Sequence, residues 1–257
     1  MQLRSFFRAT LAAGLVCLGA GPASRAAAAA APDSERAVES RQAHHVTVDA
    51  SAFPWSSVAK LFNSVGGACT GSVIGRDRIL TAAHCLYNFR TRRFLPPDAI
   101  HALLGYARGD YSTHARVDRY TVGPGYDPAA ERSTAASDWA VLHLAEQLPE
   151  SIRPLQPADM VPEPSTRLMV GGFARDRAYV MTADNDCKVL GLVAGGTLIS
   201  HDCLIAPGDS GAPLLVTGAA GDVRYVGVAV GIWHQGGGQI GIATKVPPDQ
   251  SPRPSGP

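Results

Sequence analysis

Two stretches decide the fold: CTGSVIGRDRILTAAHC at residues 69–85 and APGDSGAPLLV at residues 206–216. In the first, an apolar run breaks at a Gly-Arg-Asp-Arg turn, and a second apolar run delivers His84 directly before a cysteine. In the second, Ser210 stands between Gly208 and Gly211, ahead of another apolar run. Short runs rich in apolar and β-branched residues, bounded by turn residues, read as strands. The same texture continues outward at 56–62, 100–104, 117–122 and 139–144. It resumes at 168–172, 179–182, 188–193, 197–201, 212–216, 223–232 and 240–246. Between the two series lie Pro149, Pro154, Pro157, Pro162 and Pro164, which exclude a regular helix or a central strand. The layout predicts an all-β protein of two antiparallel barrels or sandwiches joined by a proline-rich bridge. No internal repeat and no long amphipathic helix interrupts it.

Composition agrees. The chain has 257 residues, 46% hydrophobic and 18% charged, which excludes a disordered chain. Its 27 glycines and 19 prolines are scattered, as many short strands require. A net charge of +1 leaves no basic surplus for nucleic acid or an acidic lipid surface. Residues 1–26 read as an export signal: Arg4 and Arg8, an apolar run at 9–20, then small residues with a cleavage option ending at Ala26. That run is shorter than the roughly 20 residues a membrane span needs. The expectation is a secreted or periplasmic protein with no membrane insertion after signal removal. Residues 27–45 form a flexible lead-in or pro-segment, and 46–247 the folded unit. Its first barrel takes about 46–150 and its second about 165–247, with a disordered tail at 248–257.

Removing residues 1–26 takes away Arg4, Arg8, Arg25 and Cys17, leaving 20 basic against 22 acidic residues. Four cysteines remain: Cys69, Cys85, Cys187 and Cys203. An even count in an exported chain favours two disulfides. Three pairings are open, and proximity favours Cys69–Cys85 and Cys187–Cys203. A loop of that size stabilises by about 3 kcal/mol on the chain-entropy account. A zinc site would want C-x-x-C spacing or clustered histidines, and neither accompanies them.

The chemistry sits in the two opening stretches. A serine hydroxyl is a poor nucleophile at neutral pH and needs a base within hydrogen-bond reach. Histidine suits that role because its ordinary pKa lies near 6.5. Glycines around Ser210 fit a backbone that turns sharply and aims the N–H groups of Gly208 and Ser210 at one developing oxyanion. A carboxylate must orient His84. Asp138, heading the apolar run of SDWAVLHL, is the leading candidate, while Asp110, Asp118 and Asp127 lie in or beside polar loops. The chain order is then His, Asp, Ser.

These residues make the chain resemble the chymotrypsin/trypsin-like serine endopeptidases, in the compact bacterial secreted branch that includes glutamyl endopeptidases. The likeness runs from FPW at Phe53 through CTGSVI, LTAAHC, DWAVLHL and GDSGAP to GIATKV ending at Val246. It implies two six-stranded antiparallel Greek-key barrels with the active site in the cleft between them. His84 and Asp138 would lie on the first barrel and Ser210 on the second. It also implies a bridge between Cys69 and Cys85 that ties down the loop carrying His84. Leu204, Ile205 and Ala229 fall at the specificity pocket, and their apolar character leads to an apolar or small side chain at the cleaved position. His234 is the one neighbour that a shifted alignment would make a reader of acidic side chains. Asp209 lacks the usual new amino terminus in this sequence and is expected to pair within its own loop or with an internal group.

The expected activity is hydrolysis of protein or peptide substrates through an acyl-enzyme, with no metal and no organic cofactor. The rival is a non-catalytic binding protein on the same fold. A serine esterase of the α/β-hydrolase type fails on order, since it places Ser before Asp and His. Asp184, Asn185 and Asp186 lack the glycine and bidentate glutamate of a calcium loop. His101, His114, His143 and His201 show no partner in the sequence.

Overall fold

The computed structural model describes residues 45–235 and 238–246. The expected export signal at 1–26, nearly all of the expected lead-in at 27–45 and the expected tail at 248–257 lie outside the described residues. Six strands make the first barrel: β1 (Val58–Asn63), β2 (Ala68–Gly75), β3 (Arg78–Thr81), β4 (Ile100–Leu104), β5 (Thr113–Val122) and β6 (Ala140–Leu144). They close in the order β1-β2-β3-β6-β5-β4, all neighbours antiparallel.

The second barrel uses β7 (Arg167–Gly172), β8 (Thr182–Val193), β9 (Leu198–His201), β10 (Pro213–Thr217), β11 (Val223–Gln235) and β12 (Gly238–Thr244). Its ring runs β7-β8-β9-β12-β11-β10 and returns to β7. The two rings have the same order, so one Greek-key topology is built twice from unlike sequences.

Alternation explains why the motif strands carry adjacent apolar residues, as at 73–74, 79–80 and 140–142. On β2, Val73 faces the interior of the first barrel while Ile74 faces the other way, into a cluster shared with the second barrel. Ile79 and Leu80 on β3, and Leu142 and Val141 on β6, divide in the same manner. Successive side chains of a strand point to opposite faces, so where a strand is buried on both faces neighbouring residues can both be apolar. The shared cluster also holds Trp55, Trp139, Phe173, Leu215 and Val228. Each large side chain buried there stabilises by about 1.5–3 kcal/mol. That welds the barrels along one wall and leaves the cleft at its edge.

Two boundaries differ from the sequence expectation. The strand His45–Thr47 pairs with β8, so the first described residues extend the second barrel's sheet. The runs at 179–182 and 188–193 are not separate strands: β8 passes straight through Asp184, Asn185 and Asp186. It can do so because Asp184 turns inward at a register shift and accepts the N–H groups of Leu204 (2.9 Å) and Asp186 (3.2 Å). Asn185 and Asp186 remain in solvent. In the bridge, only Gln156 and Pro157 pair, parallel to Arg224 and Tyr225 of β11. Among the described residues, no helix is long and apolar enough to cross a membrane.

Candidate active site

β3 ends in a single 3-10 turn, Ala83–Leu86, that carries His84 into the cleft. The disulfide Cys69–Cys85 anchors that turn to β2, with Cα atoms 6.1 Å apart. Asp138 closes a second short turn, Ala135–Ser137, directly before β6, and is 4% exposed. Both of its oxygens serve His84: Oδ1 accepts the backbone N–H at 2.9 Å, and Oδ2 lies 2.7 Å from Nδ1. With Nδ1 committed as donor, Nε2 is the nitrogen left to act as a base. Burial alone would lower the His84 pKa; the hydrogen bond and charge of Asp138, with Glu131 adding, more than offset it and raise it above 6.5. Asp110, Asp118 and Asp127 are all exposed.

Ser210 is held from both barrels. Its carbonyl oxygen accepts the N–H of Thr70 at 2.8 Å and lies 3.7 Å from the Cys85 sulfur, next to His84 in the chain. The Thr70 hydroxyl donates to the Gly208 carbonyl at 2.9 Å and accepts the Phe173 N–H at 3.0 Å. Gly208 has φ +108°, and a Cβ there would strike the Phe173 carbonyl. A Cβ on Gly211, at φ +87°, would strike the Thr70 carbonyl and the Thr81 hydroxyl. Both glycines are therefore fixed by close approach as well as by dihedral. Among the described residues, the N–H groups of Gly208 and Ser210 donate to no protein acceptor, while those of Asp209, Gly211 and Ala212 are all used. The hydroxyl of Ser210 makes no hydrogen bond to the imidazole in this conformation, and such contacts often tighten only when substrate binds.

Asp209 is 3% exposed. Its Oδ2 accepts the N–H of Ala206 in the same loop at 2.9 Å, whereas Oδ1 has no partner among the described residues. Burial raises its pKa to about 7. Of the pocket candidates, Leu204 and Ile205 are half-buried, and Ile205 packs on the second barrel's core. Ala229 is fully buried; its N–H donates to the Ala212 carbonyl at 2.9 Å and its carbonyl accepts the Gly211 N–H at 2.8 Å. Two grooves meet at His84. One, of about 520 Å³, is lined by Glu131, Arg132, Val230, Ile232 and Trp233. The other, of about 190 Å³, is lined by Phe62, Leu86, Tyr87, Phe89 and Arg175.

Two threonines escaped the sequence reading. Thr70 lies inside a quoted motif, and only the fold shows that it joins the barrels. Thr244 does the same on the other flank, donating to the Ala136 carbonyl at 2.8 Å, two residues before Asp138. Cys187–Cys203 is the second bridge, and the Cys203 end precedes the loop that leads to Ser210. The sulfurs of Cys69 and Cys85 come near the His84 ring, but bonded to each other they have no thiolate for a metal.

Two β-barrels of one strand order thus bring together a carboxylate-held histidine on one and a glycine-flanked serine on the other. The trypsin family model matches residues 44–250, and the chain belongs to that family. A cercarial protease from Schistosoma mansoni is 30% identical over 186 residues, covering 57% of this chain and 65% of the relative. The chain thus spans just under two thirds of that relative's length. A solved Glu endopeptidase in complex with MPD superposes with a TM-score of 0.66 at 20% identity, covering 78% of this chain and 90% of the other. That likeness establishes the shared fold.

Proposed function

We propose that this chain is an exported serine endopeptidase that cleaves protein or peptide substrates through an acyl-enzyme. The observation that carries the reading is the pair of bonds from Asp138 to His84, which leaves Nε2 free beside the loop of Ser210. In the proposed reaction the Ser210 oxygen attacks the carbonyl carbon as its proton passes to His84 Nε2. The unpartnered N–H groups of Gly208 and Ser210 receive the oxyanion. The tetrahedral adduct then collapses, the C–N bond breaks, and His84 returns the proton to the leaving amine. Water repeats the sequence to release the acid. All of this chemistry comes from side chains and backbone, with no cofactor. The apolar character of Leu204, Ile205 and Ala229 favours an apolar or small side chain at the cleaved position. Two disulfides suit an oxidising compartment outside the cytoplasm.

The absence of a bond between Ser210 and His84 favours one rival, a non-catalytic binding protein. A fluorophosphonate probe separates them. The expected result is covalent labelling of the folded protein and none of Ser210→Ala, with both unfolding at similar temperatures. Folded, unlabelled wild-type protein would reject the enzymatic reading.

A further inference from the structure

The outlying polar group of the molecule is His201, the last residue of β9. It has no solvent exposure, and neither ring nitrogen has a hydrogen-bond partner among the described residues. Burial lowers its pKa to about 4, so the ring is neutral in ordinary conditions. It lies flat against Gly241 of β12, its register partner: a Cβ on residue 241 would occupy the space of the ring.

The sheet shows what that space is. Across β9, β12 and β11 the register runs His201, Gly241, Ile232 in one row and Ile199, Ala243, Ala229 in the next. Residues two apart on a strand, and partners across a ladder, share a face. His201 therefore stands on the same face as Ala229, whose peptide holds Gly211 and Ala212 directly after Ser210. Three residues beyond His201, the chain enters the 204–209 loop that ends on Ser210. On that face β11 and β12 carry the small residues Ala229, Ala243 and Gly241. Ala229 and Ala243 are nonetheless closed to solvent. The imidazole of His201 occupies the volume that the missing Cβ of Gly241 leaves.

We propose that His201 is a plug that sets the depth of the pocket for the side chain preceding the cleaved bond, and so limits that side chain to small residues such as alanine. This rests on Ser210 acting as nucleophile and on Leu204, Ile205 and Ala229 bordering that pocket. The ring determines specificity by occupying volume, because a group without a gap beside it offers no bond to a substrate. Ile199 and Cys203 fix its strand in the core of the second barrel, so the plug is not free to swing out.

The test compares kcat/KM for peptides differing only at that position (Ala, Leu, Phe, Glu, Lys) in wild type, His201→Ala and His201→Phe. Fluorophosphonate labelling of each variant runs in parallel. Wild type should favour Ala over Phe by about 10-fold or more, the scale at which a hydrophobic pocket discriminates by size. His201→Ala should raise the Phe or Leu value by about 10-fold. His201→Phe keeps the volume without the nitrogens, and should keep the small-residue profile; it also serves if the alanine variant does not fold. Intact labelling with a profile unchanged in His201→Ala overturns the plug alone. A wild-type preference for Glu that vanishes in His201→Phe also overturns it, by making the ring a hydrogen-bonding reader. Loss of labelling in wild type removes the catalytic reading and the plug together.

Discussion

The two barrels share a strand order and differ in how they treat polar groups at the cleft. The first presents His84 and Asp138 fully mated: both carboxylate oxygens are used, and the ring is fixed before any substrate arrives. The second presents the Ser210 loop with two N–H groups that donate to no described residue, and behind it Asp209 Oδ1 and both His201 nitrogens lack partners among the described residues. A buried donor or acceptor left unmade costs about 1–3 kcal/mol. On the proposed function, the difference separates two tasks. A general base must have one orientation and one tautomer, so its supports are complete. The half that meets the substrate keeps donors in reserve and tolerates stress in its core to shape the space around them.

The largest effect should come from breaking the complete half. Asp138→Asn keeps the shape but can donate to His84 where the carboxylate accepted, turning the ring to the wrong tautomer. A loss in kcat of about 10⁴-fold is expected. Progress curves on a peptide ester, with circular dichroism to verify the fold, would measure it; a loss below about 10-fold would mean that Asp138 does not orient the base. Because Asp138 raises the His84 pKa, the acidic limb of kcat/KM in wild type should have its midpoint above 6.5. A midpoint below 6.5 would show that burial wins over the carboxylate.

The joint between the halves should matter less. Thr70→Val removes a hydroxyl that satisfies the Gly208 carbonyl and the Phe173 N–H, leaving two buried backbone groups unmade. The expected cost is about 2–4 kcal/mol in stability, a drop in Tm of about 4–16 °C for a chain of this size. Thr244→Val, which removes one donor shared between the Ala136 carbonyl at 2.8 Å and, at longer range, the Lys245 carbonyl at 3.3 Å, should cost about half as much. Equal costs for the two, measured by thermal unfolding, would deny Thr70 its double role.

How much of this was legible depends on distance along the chain. His84 and Ser210 stand out because their supports are local: a cysteine at the next position, a turn, a glycine two away. Asp138 was readable from its place at the head of an apolar strand. Thr70 was not, since its partners Gly208 and Phe173 lie 138 and 103 positions away and nothing in a single threonine announces them. His201 showed no partner in the sequence, because the glycine that makes room for its ring sits 40 positions later, on another strand. The passage of β8 through Asp184 was hidden for the same reason: the Leu204 amide that rewards the buried carboxylate arrives from a different loop. The two antiparallel barrels were expected from the strand runs and the resemblance, and the structure has them; what left no trace was their matching strand order, which is set by which faces bury together and leaves no repeat in residue identity.

The smallest net effect is the most diagnostic of the second barrel. His201 has a folded-state pKa of about 4 against 6.5 when unfolded, so between those values the unfolded chain holds more protons and stability rises with pH. Asp209, at about 7 against 3.8, holds its proton more tightly in the folded state, so over the same window stability falls with pH. The full shifts correspond to about 3 and about 4 kcal/mol, and their opposition leaves about 1 kcal/mol across the whole range. Tm measured from pH 4 to 7 should therefore change little in wild type on their account. Single variants uncover each slope: His201→Phe should steepen the decline with pH, and Asp209→Asn should convert it to a rise. His84 adds little slope below its unfolded pKa of 6.5, because there it is charged in both states and its stabilisation is fully present; that stabilisation is lost as pH climbs through its raised folded value. If Asp209→Asn left the slope untouched, the Asp209 carboxylate would have to be ionised and partnered throughout by a group beyond the described residues.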